Sequence, residues 1–263
     1  MQQEALHKLA DLLASEKEVK AVFVKGSFGR GEEDAFSDID LYCLVEEAER
    51  QAFLAKRLSL LAAYREVLYS EELFIIAPQL IVVYDNLLHV DLFTVTEETF
   101  KQTDQFLVLY DPENRLQRFK ETQTLTITDE MYGEQVIDLT WFLFQYRKAA
   151  LRGNGAWAAA MLQQVTEPLA RMLLHHYAPT RALLGLKRAQ QLLPAAVYSN
   201  LLDVLEHVTP TGHGRAAAAV LQLLENERPF LEKHVKEEEK NIIEPLFERL
   251  ITRKQITESK EKP

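Results

Sequence analysis

Along the first half of the 263-residue chain, apolar residues come in short runs broken by turn-forming clusters; along the second half they recur at helical intervals. Leu6, Leu9, Ala10, Leu12 and Leu13 fall on or near one side of a helix over residues 3–15, which should cover a sheet. Residues 20–25 read as a strand. Gly26-Ser27 is the turn after it, because glycine tolerates backbone conformations closed to other residues. Asp38 and Asp40 open a second strand. Helical spacing returns over residues 46–61, with Phe53, Leu54, Leu58 and Leu61 inward. Strands are expected at 65–69, 79–84 and 87–95, the last two joined across Asp85-Asn86, with an edge strand at 106–110 that Asp111-Pro112 ends.

From about Thr128 the spacing predicts a long aromatic-rich helix ending near Arg152-Gly153-Asn154-Gly155. Further helices follow over 157–177, about 180–193, 195–207, and 214–251 in one or two pieces, with Pro168, Pro194, Pro229 and Pro245 marking starts, kinks or breaks. The expectation is an α+β chain: a mixed-sheet N-terminal domain over 1–120, a helical-bundle domain over 121–256 and a disordered tail over 257–263.

A formal net charge of −10 repels polyanions, so nucleic acid is not an expected partner and a cationic small molecule fits better. Cys43 is the single cysteine, which excludes an intrachain disulfide and a cysteine-rich zinc site and reads as a buried thiol. No apolar run reaches membrane-spanning length and the N-terminus lacks signal-peptide blocks, so the expected location is cytoplasmic, with no membrane association.

The chemistry concentrates around the first turn. A helix opening at Ser27 would offer free N–H groups and a dipole to an anion, with the serine hydroxyl as a further donor, so Gly26 and Ser27 are candidates for cradling phosphates. Side chains alternate along a strand, so Asp38 and Asp40 point the same way while Ile39 points into the core. Paired carboxylates suit Mg²⁺, which takes oxygen ligands and is commonly shared with substrate phosphates. Asp91, in Leu88-His89-Val90-Asp91-Leu92-Phe93, is the candidate third carboxylate. Arg30 follows the turn closely enough to offer a guanidinium fork to phosphate oxygens.

Gly26-Ser27, ten intervening residues, Asp38-Ile39-Asp40 and a later strand aspartate resemble the nucleotidyltransferase superfamily related to DNA polymerase beta. Gly26-Ser27-Phe28 through Ser37-Asp38-Ile39-Asp40, with Tyr84-Asp85-Asn86-Leu87 before Asp91, look most similar to the lincosamide nucleotidyltransferases, then to the aminoglycoside enzymes. The resemblance spans roughly residues 20–95. It implies Asp38, Asp40 and Asp91 as catalytic metal ligands, and Gly26, Ser27, Arg30 and Ser37 at the nucleotide. The implied co-substrate is ATP or another nucleoside triphosphate, with Mg²⁺, a small-molecule hydroxyl as acceptor, a homodimer, and antibiotic resistance as the outcome. The alternatives are a nucleotide-binding regulatory or antitoxin-like protein, or an enzyme that modifies another protein.

Other features read as structural. Glu32, Glu33 and Asp34 belong to a hydrated loop and His89 to a half-buried strand edge beside Asp91, while for Lys25 a surface role stands at least equal to one facing the ligand. Gly153-Asn154-Gly155 is a turn between helices, with no strand before it to make a dinucleotide site. His175-His176 lack metal-ligand spacing with acidic partners, and Trp141, Phe142, Phe144 and Tyr146 are core positions.

Overall fold

A computed structural model describes residues 2–75, 77–100 and 103–251; the expected tail over 257–263 lies outside the described residues. The chain divides into two compact units between Thr124 and Leu125. Among the described residues, no helix is long and apolar enough to cross a membrane.

The first unit opens with α1 (Gln2–Ala14), whose inner side buries Ala5, Leu6, Leu9, Ala10 and Leu13. Each leucine sealed this way stabilises the fold by about 1.5–3 kcal/mol relative to exposure. Strand β1 (Val19–Val24) leads into the short helix α2 (Gly26–Arg30), then β2 (Ile39–Val45). The helix expected over 46–61 is broken into a 3-10 turn over Glu47–Glu49, α3 (Arg50–Leu54) and α4 (Arg57–Ala62). Lys56, at the break, is drawn to Glu16 and Glu18 near the end of α1, while Phe53 and Leu61 are buried and Leu58 is exposed. Strands β3 (Val67–Phe74), β4 (Pro78–Tyr84), β5 (His89–Val95) and β6 (Leu107–Tyr110) complete a sheet in the order β3-β4-β5-β2-β1-β6, followed by α5 (Gln117–Lys120). All strand pairs are antiparallel except β2 with β5, which run parallel.

Over the central strands β1, β2 and β5 both faces of this sheet are covered, which is what positions the site. Val22, Val24, Ile39, Leu41, Cys43, Val90 and Leu92 pack with α1 on one face. Ala21, Phe23, Tyr42, Leu44, Phe93 and Val95 form the other face with Phe100, Leu116 and Phe119. By alternation, Lys25, Asp40 and Asp91 continue the second face at one end of their strands. There the aromatic stack Phe23–Tyr42–Phe93, with ring centroids 5.0 and 4.5 Å apart, forms an apolar floor beside the charged groups.

The second unit is helical. Thr128 caps α6 (Asp129–Leu151) by accepting a hydrogen bond from the Met131 N–H. Asn154 does the same for α7 (Gly155–Tyr177), so Gly153-Asn154-Gly155 is a turn between helices. The helix expected near 180–193 is interrupted at Gly185, whose φ of +49° separates a 3-10 segment (Pro179–Leu184) from α8 (Leu186–Leu192). Then come α9 (Ala195–His207), α10 (His213–His234) and α11 (Glu237–Ile251). Of the expected aromatic core, Tyr146 is fully buried, Phe142 and Phe144 are partly so, and Trp141 is half exposed.

Candidate active site

The backbone at Gly26 explains why a glycine stands there. Its φ is +63°, in the left-handed region, and a Cβ added to it would lie 2.0 Å from Asp40 Oδ2. The Asp40 carboxylate therefore rests on the bare Cα of Gly26. Lys25 N–H donates to the Asp40 carbonyl at 2.9 Å, tying the start of α2 to β2. Ser27, half-buried, is the second residue of that helix.

Asp40 and Asp91 are direct neighbours in the parallel β2–β5 register and share a sheet face. Asp38, exposed, stands just before β2; one ligand atom each from Asp38, His89 and Asp91 lie within 4.8 Å of one another. Asp91 is only 7% exposed. Its Oδ1 accepts from Gln79 Nε2 at 2.9 Å and from His89 Nε2 at 3.2 Å; the imidazole must donate, since a carboxylate only accepts. His89 Nδ1 is 4.0 Å from Asp38 Oδ2. The hydrogen bond to Asp91 holds the imidazole pKa above its ordinary value against partial burial, and the Asp91, Asp38 and Asp40 charges act in the same direction. Asp38, His89 and Asp91 thus form a group that could hold a metal ion, and carboxylate oxygens are donors that a hard divalent cation takes.

Lys25 is not at the surface but 6% exposed, on the same face as Asp40. Its ammonium donates to the Thr103 carbonyl at 2.7 Å and Gln123 Oε1 at 3.2 Å, over the Phe100 ring at 4.6 Å. Burial pushes its pKa down to about 8, although Asp104 and Asp40 favour the charged form. The lysine thus titrates lower in the fold than the 10.5 expected when unfolded. The unfolded chain binds more protons across that interval, so this group makes stability rise as pH increases from 8 to 10. Lys25→Met should flatten that rise relative to the parent in urea melts at a series of pH values; an unchanged difference would show that the buried ammonium does not titrate there.

Arg30 is held by two carboxylates: its Nε donates to Glu32 Oε2 at 2.8 Å and its Nη1 to Asp104 Oδ2. Asp104 is itself partly buried, and its pKa is raised by that burial. Ser37 belongs to a turn in which its hydroxyl accepts from the Asp34 N–H at 2.9 Å and Phe36 N–H donates to Asp34 Oδ1 at 2.8 Å, with Gln2 Nε2 donating to the Ala35 carbonyl at 2.6 Å. Of the seven expected site residues, the strand and turn positions Gly26, Asp38, Asp40 and Asp91 are brought together, with Ser27 next in line. Arg30 and Ser37 are engaged with neighbouring carboxylates. Lys25, Gln79 and His89 join the site unexpectedly. For His89 the available signal is its strand face shared with Asp91; for Lys25 and Gln79 no local pattern gives the answer.

Residues 7–82 match the family described as Polymerase beta, Nucleotidyltransferase. That stretch includes Gly26, Ser27, Asp38 and Asp40 and stops short of Asp91, whose place beside them rests on the strand register. No curated protein matches the sequence. Among solved structures, an aminoglycoside 6-adenyltransferase from Bacillus subtilis is similar over 95% of this chain and 98% of its own, at 12% identity and a TM-score of 0.41. At that level it carries neither fold nor function across. The family match covers a stretch of the first unit, where the mixed sheet carries Asp40 beside the glycine-serine turn, and it supports a nucleotidyltransferase domain of the polymerase beta type there.

Proposed function

We propose that the chain moves AMP from ATP to a hydroxyl of a small antibiotic and releases pyrophosphate, with a lincosamide as acceptor. The observation that carries this reading is the pairing of Asp40 with Asp91 on one sheet face, with Asp40 seated on Gly26. An aminoglycoside is the second reading, favoured by the net charge of −10, which attracts a polycation. Either acceptor, together with ATP, suits a cytoplasmic enzyme. The 121–256 region would bind the acceptor and form a homodimer.

Asp38, Asp40 and Asp91 would hold Mg²⁺, which when bound neutralises the triphosphate and favours in-line attack at the α-phosphorus. Ser27 and the first amides of α2 would bind the outer phosphates, with the missing Cβ of Gly26 leaving room for Asp40. Arg30 reaches the phosphates in this reading by exchanging Glu32 or Asp104 for them, and Ser37 lines the nucleotide from its turn. Gln79 and His89 fix Asp91 through Oδ1, which leaves Oδ2 to receive the acceptor hydroxyl's proton. The acceptor oxygen bonds to the α-phosphorus as the bond to the bridging oxygen breaks, and pyrophosphate carries away that electron pair.

Incubation with ATP, Mg²⁺ and a panel of lincosamides and aminoglycosides should give a drug carrying one adenylyl group by mass, in step with pyrophosphate release. A panel without adducts, combined with adenylylation of the chain itself or of another protein, would replace this reading with a protein-modifying one.

A further inference from the structure

The second unit gathers metal-ligating side chains that the transfer chemistry does not use. Asp129 opens α6, His175 lies near the end of α7, and His234 ends α10. One ligand atom from each lies within 4.8 Å of the other two. Sequence spacing hides the group, because its members come from three helices. His234 Nδ1 and Asp129 Oδ1 are 3.1 Å apart. Ligand atoms about 2.0–2.2 Å from a tetrahedral zinc are separated by roughly 3.3–3.6 Å, so this spacing already approximates one edge of such a site.

A hydrogen bond alone accounts for His234 with Asp129, but not for His175. Both ring nitrogens of His175 are buried and have no hydrogen-bond partner among the described residues. Buried polar atoms without partners are costly, and a coordinated cation satisfies such a nitrogen. The His175 ring is wedged against Tyr132 at 4.9 Å and Phe230 at 5.7 Å, and faces His234 at 5.4 Å with the planes nearly perpendicular. Neighbouring His176 is engaged elsewhere, with Glu227 at 2.6 Å. Two imidazoles and a carboxylate, with no thiolate, are a nitrogen and oxygen set that suits Zn²⁺ and leaves a fourth position for water. The exposed Asp129 gives the ion a way in.

We infer that Asp129, His175 and His234 form a zinc site that pins the start of α6 to the ends of α7 and α10. Bound there, zinc would stabilise the fold, since a ligand that binds only the folded state raises stability by mass action.

The test uses the full chain, stripped by chelator and kept in excess magnesium to occupy the carboxylates of the first unit, in a His89→Gln background. Zinc sulfate titrated against a chromogenic competitor should reveal one tight equivalent per chain and a rise in melting temperature. Asp129→Asn, an exposed change that leaves the helix start intact, should weaken binding by at least roughly tenfold. His234→Gln and His175→Gln should abolish both binding and the melting shift. Zinc binding equal in parent and variants, or absent from the parent, overturns the assignment. Should the histidine variants fail to fold, imidazole ¹⁵N spectra of the parent decide: the resonances of residues 175 and 234 move with zinc, and a response that omits either refutes the site.

Discussion

Asp40→Asn leaves the fold intact and lowers pyrophosphate release by about three orders of magnitude, the equivalent of several kcal/mol of lost charge stabilisation. The substitution is nearly isosteric, so the side chain still fits over Gly26. It deletes the negative charge next to Asp91 in the register, and with it the charge that the proposed mechanism uses to hold a divalent cation against a triphosphate. Asp91→Asn should behave differently: its neighbours Gln79 and His89 anchor a side chain that is nearly buried, and the defect falls on transfer more than on nucleotide binding. Calorimetry with ATP and Mg²⁺ beside a pyrophosphate assay separates the two. Full turnover by either variant would remove these carboxylates from the chemistry.

Gly26→Ala should be nearly as damaging although it adds one methyl group and changes no charge. Alanine at a φ of +63° costs roughly 1–2 kcal/mol on conformational grounds alone. Its Cβ would also meet Asp40 Oδ2 at 2.0 Å, so one of the two must shift, and the contact falls on the end of the Asp40 side chain. Displacing an oxygen proposed to bind the metal by about 1 Å is expected to lower kcat about a hundredfold, beyond what the lost stability explains. The comparison to make is kcat at a temperature well below both melting points. A variant that melts earlier but turns over normally would mean that Asp40 is not held by this contact.

Much of the candidate site's arrangement is legible in the sequence because its parts are local or periodic. Gly26 precedes Asp38 and Asp40 by a short loop, and Asp91 sits in an apolar run that can only be a strand. The side on which Lys25 falls is not legible. The run Val22-Phe23-Val24 is apolar on both sides because both sheet faces are covered, so alternation gives no indication of which way the next residue turns. Arg30 looks available for phosphate only while Asp104, far along the chain, is unseen. The breaks in the helices expected at 46–61 and 180–193 have similar origins, in Lys56 reaching Glu16 and Glu18 and in the left-handed φ of Gly185. Strand β3 runs on to Phe74 through Glu71 and Glu72, where an exposed edge carries too little apolar patterning to be recognised.

In the proposed mechanism, the parallel ladder between β2 and β5 makes catalytic competence a property of alignment rather than of secondary-structure content. Slipping β5 by a single residue would swing Asp91 toward the α1 layer and put Val90 or Leu92 in its place, with every strand still formed. Such a misaligned chain would give an ordinary far-ultraviolet spectrum and have no transfer activity, so refolding yields should be scored by turnover instead of by ellipticity.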